Sequence, residues 1–141
     1  MRMLPVGRGR CLAEGEGVAV LSIGTTCGAA ADAVADAAAQ GVRAAHYDMR
    51  FVRPLDCALL DEIGSRFDRV VTVEDGMLRG GVGEAVTAYF NRRGYGVRVT
   101  SLGVGDQFVE HGTPAELYRL CGYDREGILN AVIQNSEFKI I

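Results

Sequence analysis

The chain has 141 residues and a mass of 15.1 kDa, enough for one domain spanning 1–141 that buries about two-thirds of its unfolded surface without a metal or disulfide staple. Hydrophobic residues at 48% and charged residues at 23% exclude a disordered chain, and 15 basic against 18 acidic residues, with a pI near 5.4, exclude the basic stripe of a nucleic-acid binder. The longest strongly apolar run, Val18 to Ile23, is too short to span a bilayer, and Met1 to Gly7 carry no apolar signal core, so the expected compartment is the cytoplasm.

Arg10-Cys11-Leu12-Ala13 is a short candidate strand closed by the turn Glu14-Gly15-Glu16-Gly17. Val18 to Ile23 is a continuous apolar run, the pattern of a strand covered on both faces. Gly24 ends it, and Thr25 or Thr26 supplies a cap for an alanine-rich helix over about Cys27 to Gln40, stopped by Gly41. Val42 to Tyr47 forms the next strand. Pro54 and Asp56 open a helix to about Phe67, with Leu55, Leu59, Leu60 and Ile63 on one face.

Arg69 to Glu74 is β-branched and apolar and predicts a third buried strand, with Asp75 to Gly81 as a loop. A helix over about Val82 to Arg93 ends at Gly94, and Val97 to Leu102 is a further parallel strand. Thr113-Pro114 starts a short helix, Asp124 to Gln134 forms the last one, and residues 135–141 are expected to fray. Strands alternating with helices require a mostly parallel sheet with right-handed crossovers and helices on both faces.

Cys11, Cys27, Cys57 and Cys121 lie no closer than 16 residues apart, so no C-x-x-C zinc or redox pair exists, and two histidines, His46 and His111, exclude a histidine-rich metal site. Scattered thiols fit a reducing compartment. Gly80-Gly81-Val82-Gly83 before a helix can offer backbone N–H groups to an anion, yet it lacks both the G-x-G-x-x-G spacing and the lysine of a P-loop, so close helix packing is the favoured reading. Glu74 and Asp75 stand at the carboxyl end of a strand, where open α/β sheets place their sites. Neighbours on a strand point in different directions, which argues for a polar loop or an interface contact over a shared proton.

Asp48 to Asp56 also follows a strand. Arg50 and Arg53 fit a phosphate, or ion pairs with Asp48, Asp56 or a partner, and Phe51 between them gives the segment the composition of an interface. Glu110 beside His111 can tune an imidazole, but no nucleophile stands in a recognisable pattern with it. His46, in mid-strand, reads as a satisfied core or edge residue. No complete catalytic set is present, the pattern of an α/β domain that is one piece of a larger enzyme.

The segments Leu4-Pro-Val-Gly-Arg-Gly-Arg10, Val18-Ala-Val-Leu-Ser-Ile-Gly-Thr25, Asp48-Met-Arg-Phe-Val-Arg-Pro-Leu-Asp56, Val71-Thr-Val-Glu-Asp-Gly76 with Gly80-Gly-Val-Gly-Glu-Ala-Val86, and Leu102-Gly-Val-Gly-Asp-Gln-Phe-Val-Glu-His-Gly112 together resemble the carboxyl-terminal domain of the 1-deoxy-D-xylulose-5-phosphate synthases. Their order and spacing match over about Leu4 to Ile133. Gly105, where the family often has Pro, and Val82, where it often has Phe, are departures.

The resemblance implies a transketolase carboxyl-terminal fold: a three-layer α/β/α sandwich on a five-stranded, mostly parallel sheet, with Arg10 to Ala13 as an antiparallel edge strand. It implies a parent that joins pyruvate to glyceraldehyde 3-phosphate with thiamine diphosphate and Mg²⁺ for isoprenoid, thiamine and pyridoxal synthesis. The diphosphate, metal and substrate motifs of that parent belong to its amino-terminal and central domains and are not found in this sequence. No catalytic, cofactor-binding or metal residue is therefore carried over. This domain alone is expected to be inactive and to support a homodimer, with Arg50, Phe51, Arg79, Phe108, Glu110 and His111 as the expected interface residues. Two alternatives stay open: a free-standing Rossmann- or flavodoxin-like module using Gly80 to Gly83 as an anion cradle, and a subunit acting in trans in a split transketolase-like enzyme. Exposed docking faces left by absent partner domains would favour weak self-association.

Overall fold

Val18 to Ser22 is buried at every position, the central-strand environment that its uninterrupted apolar run requires. The computed structural model describes residues 8–50, 54–104 and 121–137. Its elements are β1 (Arg10–Ala13), β2 (Val18–Ser22), a 3₁₀ turn (Gly24–Thr26), α1 (Cys27–Ala39), β3 (Ala45–Asp48), α2 (Cys57–Arg66), β4 (Arg69–Met77), α3 (Val82–Arg93), β5 (Arg98–Val104) and α4 (Arg125–Glu137). One five-stranded sheet has the order β1-β3-β2-β4-β5. β1 runs antiparallel to β3 at one margin, and the other pairings are parallel. The expected three-layer fold with an antiparallel edge strand is the fold observed.

Alternation along the strands divides the core in two. Val18, Val20, Val71 and Val73 pack with α1 and α4, through Ala30, Ala33, Ala37, Ile128 and Val132. Ala19, Leu21, Tyr47 and Val70 pack with α2 and α3, through Leu60, Ile63, Val86 and Phe90. Alanine suits α1 because its small side chain holds the helix without entropy cost and lets it approach the sheet closely. The Arg125 guanidinium then ties α4 to α1, with Nε 2.7 Å from Asp36 Oδ2 and a second bond of 2.7 Å to Oδ1.

Several boundaries move. Thr26 stands at the N-cap position of α1 as expected, but its hydroxyl makes no capping bond there, because it donates to carbonyls of Ile23 and Val73 instead. β3 begins only at Ala45, because Val42 N–H donates to Ala37 O and Arg43 O accepts from Glu16 N–H, which spends those groups outside the sheet. β4 continues to Met77 through the segment expected to be a loop. Residues 135–137, expected to fray, extend α4; Asn135 Nδ2 donates to Ala131 O at 2.7 Å and Ser136 Oγ to Ile133 O at 2.7 Å. The short helix expected at Thr113-Pro114 lies outside the described residues.

Asp61 joins α2 to α3. Its Oδ1 accepts from Tyr89 Oη (2.9 Å), Tyr95 Oη (3.1 Å) and Arg93 Nε (3.3 Å). The Tyr89 hydrogen bond, helped by Tyr95 and Arg93, holds this carboxyl below its ordinary range. A depressed folded value means that the contribution is present above the unfolded pKa and is lost as pH falls through the folded one. Asp61→Asn keeps an acceptor oxygen and removes the charge. It should lower Tm by a few degrees at pH 7, and thermal melts should show that gap closing as the pH drops below the carboxylate range.

Candidate functional site

The carboxyl ends of the parallel strands are where this topology exposes a crevice. β2 leads to β3 on one side, and the next crossover returns to β4 on the other, so the topological switch point lies between β2 and β4. Here side chains bridge the ends of β2 and β4, Thr26 in the interior and Thr25 with Asp75 at the surface. Gly24, at φ 64°, turns the chain out of β2. The single proton of Thr26 Oγ1 is shared between the carbonyls of Ile23 (2.8 Å) and Val73 (3.1 Å), which fastens the turn to β4. Thr25 Oγ1 donates to Asp75 Oδ2 at 2.9 Å, and Tyr123 Oη reaches Asp75 Oδ1 at 3.4 Å.

Glu74, one residue earlier on β4, points to the opposite face. It is 6% exposed, and its two oxygens accept from the first amides of α3: Oε1 from Val82 N–H at 3.0 Å and Oε2 from Gly83 N–H at 2.9 Å. This is the position that an anion takes at a helix N-terminus, with the helix dipole adding to the attraction. Burial pushes the Glu74 carboxyl above its usual range, and the two amides oppose that shift without cancelling it. The expectation of a polar loop or an interface contact is corrected: the residue is an internal cap. The glycines follow from it. A Cβ on Gly81 would collide with Glu74 Oε1, and one on Gly83 would collide with Ser101 on β5 and Thr72 on β4. Close packing, the favoured sequence reading of this cluster, is what the helix requires, and the anion is supplied from within.

A second polar pair lies on the other face. His46 on β3 and Ser22 on β2 are both buried, with Oγ and Nε2 2.7 Å apart. The register pairs Val20 with His46 and Ser22 with Asp48, so the serine and imidazole stand diagonally on one face. Burial depresses the His46 pKa, and the Asp48 charge opposes this. A neutral imidazole sharing one hydrogen bond in the interior is the satisfied histidine expected from the sequence.

Arg50 follows β3 with φ 60°, a left-handed conformation uncommon for a non-glycine residue. Asp48 supports it: Oδ1 accepts the Arg50 N–H at 3.0 Å, and Oδ2 lies 4.0 Å from Arg50 Nε and 3.5 Å from Arg10 Nε. Arg79 is exposed in the turn between β4 and α3. β2 lies between the strands that carry Arg50 and Arg79, so the structure places these two expected interface residues on separate connections. Phe51, Phe108, Glu110 and His111, together with Arg53, lie outside the described residues. Among the described residues no group of His, Cys, Asp and Glu has the arrangement of a metal site. Sequence reasoning missed Ser22 as the partner of His46 and Glu74 as the partner of the glycine turn. The available signal for the first was one polar residue near the carboxyl end of each of two adjacent buried strands.

The family profile described as "Transketolase, C-terminal domain" matches residues 7–128. The chain is 45% identical over 133 residues to the 1-deoxy-D-xylulose-5-phosphate synthase of Bacteroides fragilis, covering 94% of this chain and 20% of that protein. It is 39% identical over 131 residues to the synthase of Chlorobaculum tepidum, covering 93% of this chain and 21% of that protein. It thus spans about one fifth of the length of these curated relatives. A solved structure described as "Split gene transketolase, inactive beta4 tetramer" superimposes with a TM-score of 0.87 at 32% identity, covering 99% of this chain and 45% of that one. A profile match over most of the sequence and a superposition over nearly all of the fold agree: the chain belongs to the transketolase C-terminal domain family.

Proposed function

We propose that the chain is the carboxyl-terminal, non-catalytic domain of a 1-deoxy-D-xylulose-5-phosphate synthase. It would buttress the domains that bind cofactor and substrate and support a homodimer of the whole enzyme. The observation that carries this reading is the match of 94% of the chain to one fifth of such a synthase. The parent joins pyruvate to glyceraldehyde 3-phosphate with loss of carbon dioxide, in the supply of isoprenoid, thiamine and pyridoxal precursors. Thiamine diphosphate, held with Mg²⁺, supplies the carbanion chemistry there. The described residues do not fit that group. The amides best placed for a diphosphate are spent on Glu74, whose carboxylate would repel one. The same geometry weighs against a free-standing anion-binding module. The four free cysteines suit a reducing cytoplasm.

Calorimetric titration of the 141-residue chain with thiamine diphosphate and Mg²⁺ should give no binding heat, and the chain alone should not consume pyruvate. Measurable heat or turnover would reject the proposal. A second reading, an in-trans subunit of a split enzyme, draws on the likeness to the split gene transketolase. Co-purification with a larger polypeptide that does bind thiamine diphosphate would favour it over the first.

A further inference from the structure

Between β1 and α1 lies a groove of about 320 Å³. Leu12 borders it on one side, and Ala31, Ala35 and Ala38, on the outward side of α1, border it on the other. A stripe of alanines is by itself only a packing surface. Two polar groups give this groove a chemistry.

The first is His46, which is 1% exposed and belongs to the groove lining. Its Nε2 lies 2.7 Å from Ser22 Oγ. Ser22 is fully buried, and its hydroxyl proton has no other acceptor among the described residues, so the serine donates and Nε2 accepts. The one ring proton of the neutral imidazole is then on Nδ1. Nδ1 makes no hydrogen bond with a described residue. Among those residues the one fully enclosed side-chain nitrogen or oxygen without a partner is Thr72 Oγ1, so Nδ1 is not enclosed; it opens to the groove as an unused donor.

The second is Arg43, which lies at the exposed rim and forms no ion pair with a described residue. Glu14 also borders the groove, but its carboxylate is turned away, with Oε2 3.6 Å from Arg66 of α2 on the opposite face of the sheet. A buried donor and a cation, with the nearest carboxylate directed elsewhere, call for an anionic acceptor. One cation beside an apolar wall suits a single delocalised charge that carries a hydrocarbon body, which is a carboxylate. The volume is at the lower end of ligand sites, which run from roughly 300 to 1,000 Å³, so that body is short.

We propose that the groove between β1 and α1 is a binding site for a small aliphatic monocarboxylate. One carboxylate oxygen accepts from His46 Nδ1–H, the other faces the Arg43 guanidinium, and the hydrocarbon lies on Leu12 and the alanines of α1. The imidazole keeps its bond to Ser22, so the ligand extends an existing hydrogen-bond chain. Ser22 itself is buried beyond reach, and the pair serves binding and not acyl transfer. The inference rests on this groove and not on the synthase reading: binding of thiamine diphosphate would reject that reading and leave the groove untouched, and a groove that takes no carboxylate leaves that reading standing.

Hexanoate is the probe. Titrated into the isotope-labelled 141-residue chain, it should shift the amide resonances of Ala31, Ala35 and Ala44 and the ring resonances of His46, saturating in the millimolar range that so few atoms allow. Hexanol, which lacks the charge, should bind about threefold more weakly, and hexylammonium should not bind. Arg43→Gln should reduce hexanoate to the level of hexanol. Ala35→Leu should fill the groove and abolish binding of both. These two positions are exposed, so neither substitution should change the thermal melt. Ring nitrogen spectra should show His46 as the Nδ1–H tautomer before any ligand is added. A spectrum that hexanoate leaves unchanged overturns the proposal. So does binding that is indifferent to Arg43→Gln or Ala35→Leu, equal binding of hexylammonium, or an Nε2–H tautomer.

Discussion

Glu74→Ala should lower the unfolding free energy by about 3 kcal/mol, with a fall in Tm of roughly 10 °C, as read from urea and thermal denaturation. The substitution leaves two buried amides of α3, those of Val82 and Gly83, without their acceptors. It also removes the negative charge that balances the positive end of the helix dipole. Glu74→Gln retains one acceptor oxygen and should cost about half as much. The pH dependence distinguishes the charge from the packing. Burial raises the folded pKa of Glu74, so across the interval between the unfolded and folded values the folded state holds a proton that the unfolded chain has released. Stability from this group therefore rises as pH falls through the folded value towards about 4.3, the ordinary glutamate pKa, and Glu74→Gln should lack that rise. A variant as stable as the parent would remove the account of this turn given above.

Which features could be read without coordinates follows from the range of the interactions involved. β2 was legible because a strand buried on both faces needs an unbroken apolar run, and Val18 to Leu21 supply one. α3 was legible at both ends: Gly81 and Gly94 bracket it, and Gly94 adopts the left-handed conformation that ends helices. The start of α2 followed from Asp56, whose side chain accepts from Leu59 N–H three residues on. The errors lie where a distant partner decides. Asp75 to Met77 has the composition of a turn, yet β5 extends beside it and pairs Met77 with Val104. Asn135 looks like the end of a helix, yet α4 runs on to Glu137, with Asn135 Nδ2 reaching Thr100 Oγ1 on β5, thirty-five positions away, at 3.4 Å. The site divides in the same way. Adjacent positions on a strand separate Glu74 from Asp75 in any sheet, whereas the union of Glu74 with Gly83, and of Thr25 with Asp75 across fifty positions, depends on the crossovers that bring β2, β4 and α3 to one end of the molecule.

The buried Ser22–His46 pair leads to the other large effect. His46→Ala should cost about 3 kcal/mol at pH 7, combining a cavity beneath α1 with a serine hydroxyl left without its partner. Ser22→Ala should cost less, about 1–2 kcal/mol, because it removes a small group and strands one ring nitrogen. The sign of the pH dependence is opposite to that at Glu74. Burial lowers the folded pKa of His46, so the unfolded chain takes up a proton near its ordinary value of about 6.5 while the folded protein still resists it. The stabilisation is present above that value and is lost as the pH falls towards the folded pKa. The charged groups nearby are Asp48 on the same strand and, along the groove that His46 borders, Glu14 and Arg43. Asp48 favours the imidazolium, yet burial prevails, which is why the imidazole remains neutral beside a carboxylate. Denaturant titrations of the parent and of His46→Ala between pH 7.5 and pH 5 should therefore converge as the pH falls. Parallel curves would mean that the imidazole is held by packing alone and that its proton has no part in the fold.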